Sequence, residues 1–429
     1  MLERYKESIN HLHRAEQVIP LGAQTFSKSK AQFNVGTAPL YAARAKGAYL
    51  WDVDGNRYVD LISNLAAVTL GYSHKGQNKE VVRQLRNSTG MSLPSKIEAE
   101  VAEKIVELVP SAEMVRFAKN GTDATSAAIR LSRAYTGREH VVVCGYHGWQ
   151  DWYIGSTNRN KGVPNSSRRL THSFQFNDLV ELRRLFDEFK GEIACVILEP
   201  MNRVFPEPGF LQTVISICEA EGAICVFDET ITGFRFAKGG AQELFEVTPH
   251  LSTFGKGIAN GFPLSVISGR RDIMIEMENI FFSGTFGGEL LSLVAANFVL
   301  DEHLKDSICP QLASAGDDLC SEMRRIVLGA GLGDVLSFTG HPSWIFYEWT
   351  ESHGFSASEI KSYFLQEMYR NGILLLGTNN VTLSHNRRVL KKITNVFEVV
   401  IDSVQESLLN GTLTQKLLSA PLEPVLKIR

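Results

Sequence analysis

The chain has no long run of one charge, no internal repeat or low-complexity segment, and no uninterrupted apolar stretch of the roughly 18 to 20 residues a bilayer span needs. Its 44 lysines and arginines stand against 47 aspartates and glutamates, for a formal charge of -3. That balance lacks the basic stripe by which proteins hold nucleic acid or an anionic membrane. Prolines are few, 14 beside 35 glycines, which favours tight loops over extended linkers. The start, Met1-Leu2-Glu3-Arg4-Tyr5-Lys6-Glu7, carries no apolar leader. These absences predict a soluble, cytoplasmic protein with neither nucleic-acid nor membrane partners.

Metal chemistry is equally unsupported. The six cysteines (Cys144, Cys195, Cys218, Cys225, Cys309 and Cys320) include no C-x-x-C pair, and Cys195 sits inside the apolar run Ile193–Leu198. They read as buried, reduced thiols. His11 and His13 fall in an amphipathic N-terminal helix, and His140 and His147 have no cysteine or carboxylate pair at ligand spacing. No metal is expected.

What is present is enough for two or three cores: 429 residues, 44% hydrophobic and 21% charged. Short runs apolar on both faces (Met114–Phe117, Val141–Cys144, Ala194–Glu199, Ile224–Asp228, Leu264–Ser268) alternate with the helical stretches Thr122–Thr136, Leu179–Phe189 and Leu211–Glu221. Strands without in/out alternation, separated by helices, predict an α/β core with a largely parallel sheet covered on both sides. Upstream, Asp54-Gly55 predicts a β-hairpin within 47–60. Downstream, Glu289 to about Met323 is helix-rich and leads into an α+β segment, with boundaries near 60 and 300.

Three strand ends carry candidate chemistry, because ligands of open α/β sheets collect there. Phe117-Ala118-Lys119-Asn120-Gly121-Thr122-Asp123 runs through glycine into a helix, either an anion cradle or an ordinary turn with its N-cap. Cys225-Val226-Phe227-Asp228-Glu229 ends a buried strand in two carboxylates. Such a carboxylate needs a facing cation or donors: a ligand supplies them, or Asp228 caps the next helix or pairs with Arg235. In Phe254-Gly255-Lys256-Gly257 a lysine lies between glycines in an apolar setting, conditions that lower its pKa and make the amine nucleophilic. Gly255, Gly257 and Gly261 give G-x-G-x-x-x-G, one residue too long for a dinucleotide loop.

Together and in this order these segments resemble the class III (fold type I) pyridoxal-phosphate aminotransferases, most closely the glutamate-1-semialdehyde aminomutase branch. The resemblance runs from about Gly22 to Val400 and includes Gly145-Tyr146-His147-Gly148, Leu198-Glu199-Pro200, Phe227 to Arg235 and Gly284-Thr285. It implies a large cofactor-binding domain over 61–300 and a smaller one built from 1–60 and 301–429. It implies that Lys256 attaches covalently to the cofactor and then shuttles a proton, that Asp228 pairs with the pyridine nitrogen, and that Tyr146 stacks on the ring. Gly121 and Thr122 are implied to hold the phosphate, joined by Thr285 of a neighbouring subunit in a homodimer with interfacial sites.

Departures from the aminomutase bear on substrate. Its carboxylate-binding arginine falls at Lys28, which is either a substrate contact or a solvated loop lysine. Thr230 stands where the aminomutase has valine and is expected to put a hydroxyl towards the cofactor. After Glu199-Pro200 a small loop becomes Met201-Asn202-Arg203-Val204-Phe205, bringing Arg203 near the site. The gating stretch is replaced by Thr378-Asn379-Asn380-Val381-Thr382, and residues from about 411 extend past the family's usual end. Aromatic Tyr146–Tyr153 reads as core packing or as a wall for a sugar-like substrate. On these grounds Lys28, Glu199, Arg203 and Asn380 are the expected substrate contacts. The predicted activity is transfer of an amino group from a small-molecule donor such as glutamate to a carbonyl acceptor, with a keto-sugar among the candidates. An intramolecular 2,1-aminomutase and an inactive homologue of the same fold are the alternatives.

Overall fold

The run Ile193-Ala194-Cys195-Val196-Ile197-Leu198 has no polar face to offer water, and all six residues are buried. It sits inside a seven-stranded sheet within the segment Lys75–Pro310, one of two compact units; the other combines the chain up to His74 with the chain from Gln311. The computed structural model describes residues 2–305 and 307–422.

The strands of this sheet are β1 (Met114–Ala118), β2 (His140–Cys144), β3 (Thr171–Ser173), β4 (Ile193–Leu198), β5 (Ile224–Asp228), β6 (Leu251–Phe254) and β7 (Ser265–Gly269). Their order is β1-β7-β6-β5-β4-β2-β3. Pairings from β3 through β2, β4 and β5 to β6 are parallel, and β7 alone runs against its neighbours β6 and β1. The sheet is an α/β core of mainly parallel strands.

Alternation assigns the two faces. Val196, Leu198, Cys225 and Phe227 pack with Leu182 and Val214 on one side. These last two belong to the helices α2 (Leu179–Glu188) and α3 (Phe210–Ala220). Cys195, Ile197 and Val226 pack on the other with Ala128 and Leu131 of α1 (Gly121–Thr136). Both faces are apolar because both are roofed by helices. All six cysteines are buried thiols.

In the other unit the predicted hairpin forms: Tyr49–Asp52 pairs antiparallel with Arg57–Asp60 across the turn holding Gly55. Directly after it, Ser63, Asn64, Leu65 and Ala66 all have φ between 50° and 65°, a full turn of left-handed backbone without a single glycine. Neighbours hold that turn. Lys28 Nζ donates to Asn64 Oδ1 at 2.7 Å, Ser63 Oγ donates to the Asn380 carbonyl at 2.7 Å, and Asn380 Nδ2 donates to the Ile62 carbonyl at 2.9 Å. The C-terminal extension lies along the helix Ala357–Arg370, where Leu418 N donates to Gln366 Oε1 at 3.0 Å and Leu422 N to Ser362 Oγ at 2.9 Å. Its last residues, 423–429, lie outside the described ones.

Candidate active site

Because β1, β2, β4, β5 and β6 all point the same way, the residues after them emerge along one edge of the sheet: Gly121, Tyr146 with His147, Glu199, Asp228 and Lys256.

Asp228, the last residue of β5, is 5% exposed. Its Oδ1 accepts from Thr230 Oγ1 at 2.6 Å, from Thr230 N at 3.2 Å and from Thr253 Oγ1 at 3.1 Å; its Oδ2 lies 2.9 Å from His147 Nδ1. The other nitrogen of His147 lies 3.1 Å from the Cys144 carbonyl oxygen, so both ring nitrogens face oxygen atoms. Burial pushes the Asp228 carboxyl up. The hydrogen bond and charge of His147 and the two bonds from Thr230 outweigh it and hold Asp228 below the usual aspartate range. No helix begins at Asp228, and it accepts from Thr230 and Thr253 and faces His147.

Glu229 turns to the opposite side, as neighbouring strand positions do. There it accepts from Thr232 Oγ1, from Ala241 N at 2.7 Å and from Gln242 N at 2.9 Å, so it anchors a loop. Of the two carboxylates that end β5, only Asp228 joins the cluster.

Lys256 follows β6 in left-handed backbone, φ 44°, and burial lowers its amine to about 8, against the attraction of Glu199 and Asp228. Glu199 is buried too. Burial raises its carboxyl, and Asp228 adds to the rise, while Tyr146 N at 3.0 Å and Asn202 Nδ2 at 2.9 Å both donate to Oε2. The Tyr146 phenol, 48% exposed, is held above the ordinary tyrosine range by partial burial and then by the charges of Asp228 and Glu199.

The first turn of α1 is tied to the loop after β2. Thr125 Oγ1 donates to the His147 carbonyl at 2.8 Å, and Trp149 N donates to Thr122 Oγ1 at 3.3 Å. Gly148, at φ 109°, makes this approach: a Cβ there would lie 2.4 Å from Thr122 Oγ1. Gly121 likewise abuts the Asp228 loop, since its Cβ would lie 3.0 Å from Thr230 Cγ2. A helix N-terminus, a buried amine of lowered pKa and a desolvated carboxylate thus share one strand edge.

This order of groups has a counterpart among known proteins: the family model "Aminotransferase class-III" matches residues 31–337. The chain belongs to the class-III aminotransferases. The glutamate-1-semialdehyde 2,1-aminomutase of Syntrophobacter fumaroxidans is 36% identical over 366 residues, 79% of this chain and 84% of that one. Among solved structures, the FumI protein of Sphingopyxis sp. MTA144, in its PLP internal aldimine form, matches with TM-score 0.88 and 25% identity over 94% of this chain and 98% of that one. An omega-transaminase from Sphaerobacter thermophilus matches with TM-score 0.83 and 25% identity, covering 93% and 98%.

Pyridoxal phosphate is the cofactor expected of a class-III aminotransferase with these neighbours. The residues fit it. The 16-residue helix α1 starts at Gly121 and Thr122, and its first N–H groups have no acceptor within the helix, the setting an anionic phosphate needs. Asp228 is an acceptor only 5% exposed, and Lys256 a half-buried residue whose amine burial lowers to about 8.

The remaining expected site residues of this class-III family member are Thr285, Arg203, Lys28 and Asn380. Thr285 is exposed on the turn after Gly284, beside a recess of about 360 Å³ that Lys119 and Gln150 also line. Arg203 is exposed in the loop after Pro200. Lys28 and Asn380 belong to the other unit. Asn380, an expected substrate contact, is 3% exposed with its N–H given to Ile62, and Asn379 is buried with Oδ1 accepting from Tyr347 at 2.9 Å. The Asn380 Oδ1, by contrast, is buried without a hydrogen-bond partner among the described residues. The aromatic segment divides. Tyr153 is fully buried against the His147 ring and Trp152 Nε1 donates to Ser126 Oγ at 2.9 Å, whereas Trp149 is 65% exposed.

Sequence reasoning missed His147, Thr253 and Asn202 as partners of the two key carboxylates. For His147 the available signal was its place between Tyr146 and Gly148, past the end of β2.

Proposed function

We propose that the chain is a pyridoxal-phosphate aminotransferase that takes an amino group from a small donor such as glutamate and delivers it to an aldehyde or ketone on a polar acceptor. The observation that carries this reading is the clustering of Lys256 and Asp228 at one strand edge beside the N-terminus of α1. When bound, the cofactor supplies an aldehyde that takes up the donor's amine and a ring that accepts the electrons released when the substrate loses a proton.

Each residue has a physical task. The N–H groups at Gly121 and Thr122, with the Thr122 hydroxyl, bind the phosphate. Asp228, an anion with His147 at its back, holds the proton on the pyridine nitrogen. Tyr146 covers one face of the ring. Lys256, neutral in a usable fraction near pH 7, attaches the cofactor and then carries a proton from the substrate carbon. Glu199, its carboxyl raised by burial, is an acid within electrostatic reach of Lys256.

Holoenzyme mixed with glutamate alone is expected to release one equivalent of 2-oxoglutarate per site. Absence of that half-reaction, with conversion of glutamate-1-semialdehyde to its 2,1-isomer, would overturn the transaminase in favour of the aminomutase. The second reading draws its support from the aminomutase name of the Syntrophobacter relative.

We further propose a homodimer in which Thr285 serves the partner's site. Phe281 and Phe286 flank Thr285 at 82% and 67% exposed, apolar surface that such an interface would cover. Sedimentation at micromolar concentration is expected to give the mass of two chains; a stable monomer with full activity would refute this arrangement.

A further inference from the structure

The Asp228 carboxylate offers about four acceptor positions. Its neighbours there are the Thr230 hydroxyl at 2.6 Å, Thr230 N at 3.2 Å, Thr253 Oγ1 at 3.1 Å and His147 Nδ1 at 2.9 Å. Three of these converge on Oδ1. The shortest comes from a side chain at a position where a valine of nearly the same shape would fit. The methyl of Thr230 already does valine's packing, since it meets Gly121 and also lies 3.3 Å from where a Cβ at Gly255 would be.

We propose that Thr230 is a positioning residue whose hydroxyl occupies a lone pair of Asp228 Oδ1, so weakening the carboxylate as an acceptor for the cofactor's pyridine nitrogen. This rests on the reading that Asp228 faces that nitrogen. A hydrogen bond to an ionised carboxylate favours the anion and lowers its basicity, so the nitrogen gives up its proton at lower pH than it would beside an unencumbered aspartate. The effect is a milder electron sink. Ionisable groups that interact with Asp228 include His147, Glu199, Lys256, Tyr146 and Tyr153. They stay in place when only Thr230 is changed.

The test is the ring-nitrogen chemical shift of protein reconstituted with 15N-labelled pyridoxal phosphate, followed from pH 6 to 11 in the parent, T230V, T230S, T230A and D228N. T230V and T230A are expected to raise the pH at which the nitrogen loses its proton by about one unit, the scale of one charge-assisted hydrogen bond. T230S, which keeps the hydroxyl, is expected to follow the parent. A purely structural role predicts no shift in T230V, and matching T230V, T230A and parent curves with a displaced D228N curve would overturn the role of Thr230 while leaving Asp228 in place. An unmoved D228N curve would overturn the underlying reading instead. T230A carries the test if T230V does not fold.

Discussion

Lys256→Ala is expected to abolish covalent cofactor attachment: reduction with borohydride leaves no labelled peptide, the visible absorbance of the protein-bound cofactor is lost, and turnover falls by at least about 10⁴, as when a covalent nucleophile is removed. Labelling at an undiminished level in the variant would show that another amine does the work. The parent makes a second, quantitative statement. With its amine lowered to about 8 from 10.5, Lys256 is a few hundred times more often neutral at pH 7 than an ordinary lysine. The rate of cofactor attachment is therefore expected to rise with pH and level off above about 8, and a rate still climbing tenfold per unit at pH 9 would contradict it. The linkage has a definite sign. Between 8 and 10.5 the folded cofactor-free protein binds fewer protons than the unfolded chain, so this group makes stability rise with pH across that window.

Asp228→Ala is expected to lower turnover by about 10² to 10³ through loss of an oriented charge, and to destabilise the protein by about 3–5 kcal/mol. The stability loss arises because the His147, Thr230 and Thr253 donors lose a buried acceptor together. Thermal unfolding of the cofactor-free variant separates the two effects, and an unchanged midpoint would refute the hydrogen-bond account. Here the pH dependence has the same sign as for Lys256 but falls in an acidic window. A carboxyl held below its ordinary value stabilises the fold above the usual aspartate range, and that contribution is lost as pH falls through the lowered folded value.

Much of the scaffold was legible because it rests on short-range pattern. Ile224–Asp228 is the predicted strand to the residue, and α1 begins one position before the predicted Thr122 because Asn120 closes a capping box with Asp123. Thr171–Ser173 was missed: three residues carry no period, and only pairing with β2 makes them a strand. At the site, Lys256 and Asp228 were readable as anomalies, a lysine and a carboxylate where burial penalises charge. His147 and Thr253 were not, because nothing local to either residue shows the carboxylate it meets; Thr253 and Asp228 face each other only through the β5–β6 register. The surroundings of Asn379 and Asn380 were hidden for a related reason: Tyr347 and Ile62, which their side chains meet, are distant along the chain.

The left-handed turn at Ser63–Ala66 changes how variants of its neighbours should be interpreted. Four L-residues in that region cost on the order of 1 kcal/mol each, a sum comparable with the margin by which a domain stays folded. Lys28 and Asn380 hold the turn, so each is a fastener before it is anything else. A loss of activity on replacing either one conflates a missing contact with a sprung backbone. Genetic interaction separates the two: glycine at Asn64 relieves the turn and rescues a fastener, but restores nothing to a residue that touches substrate.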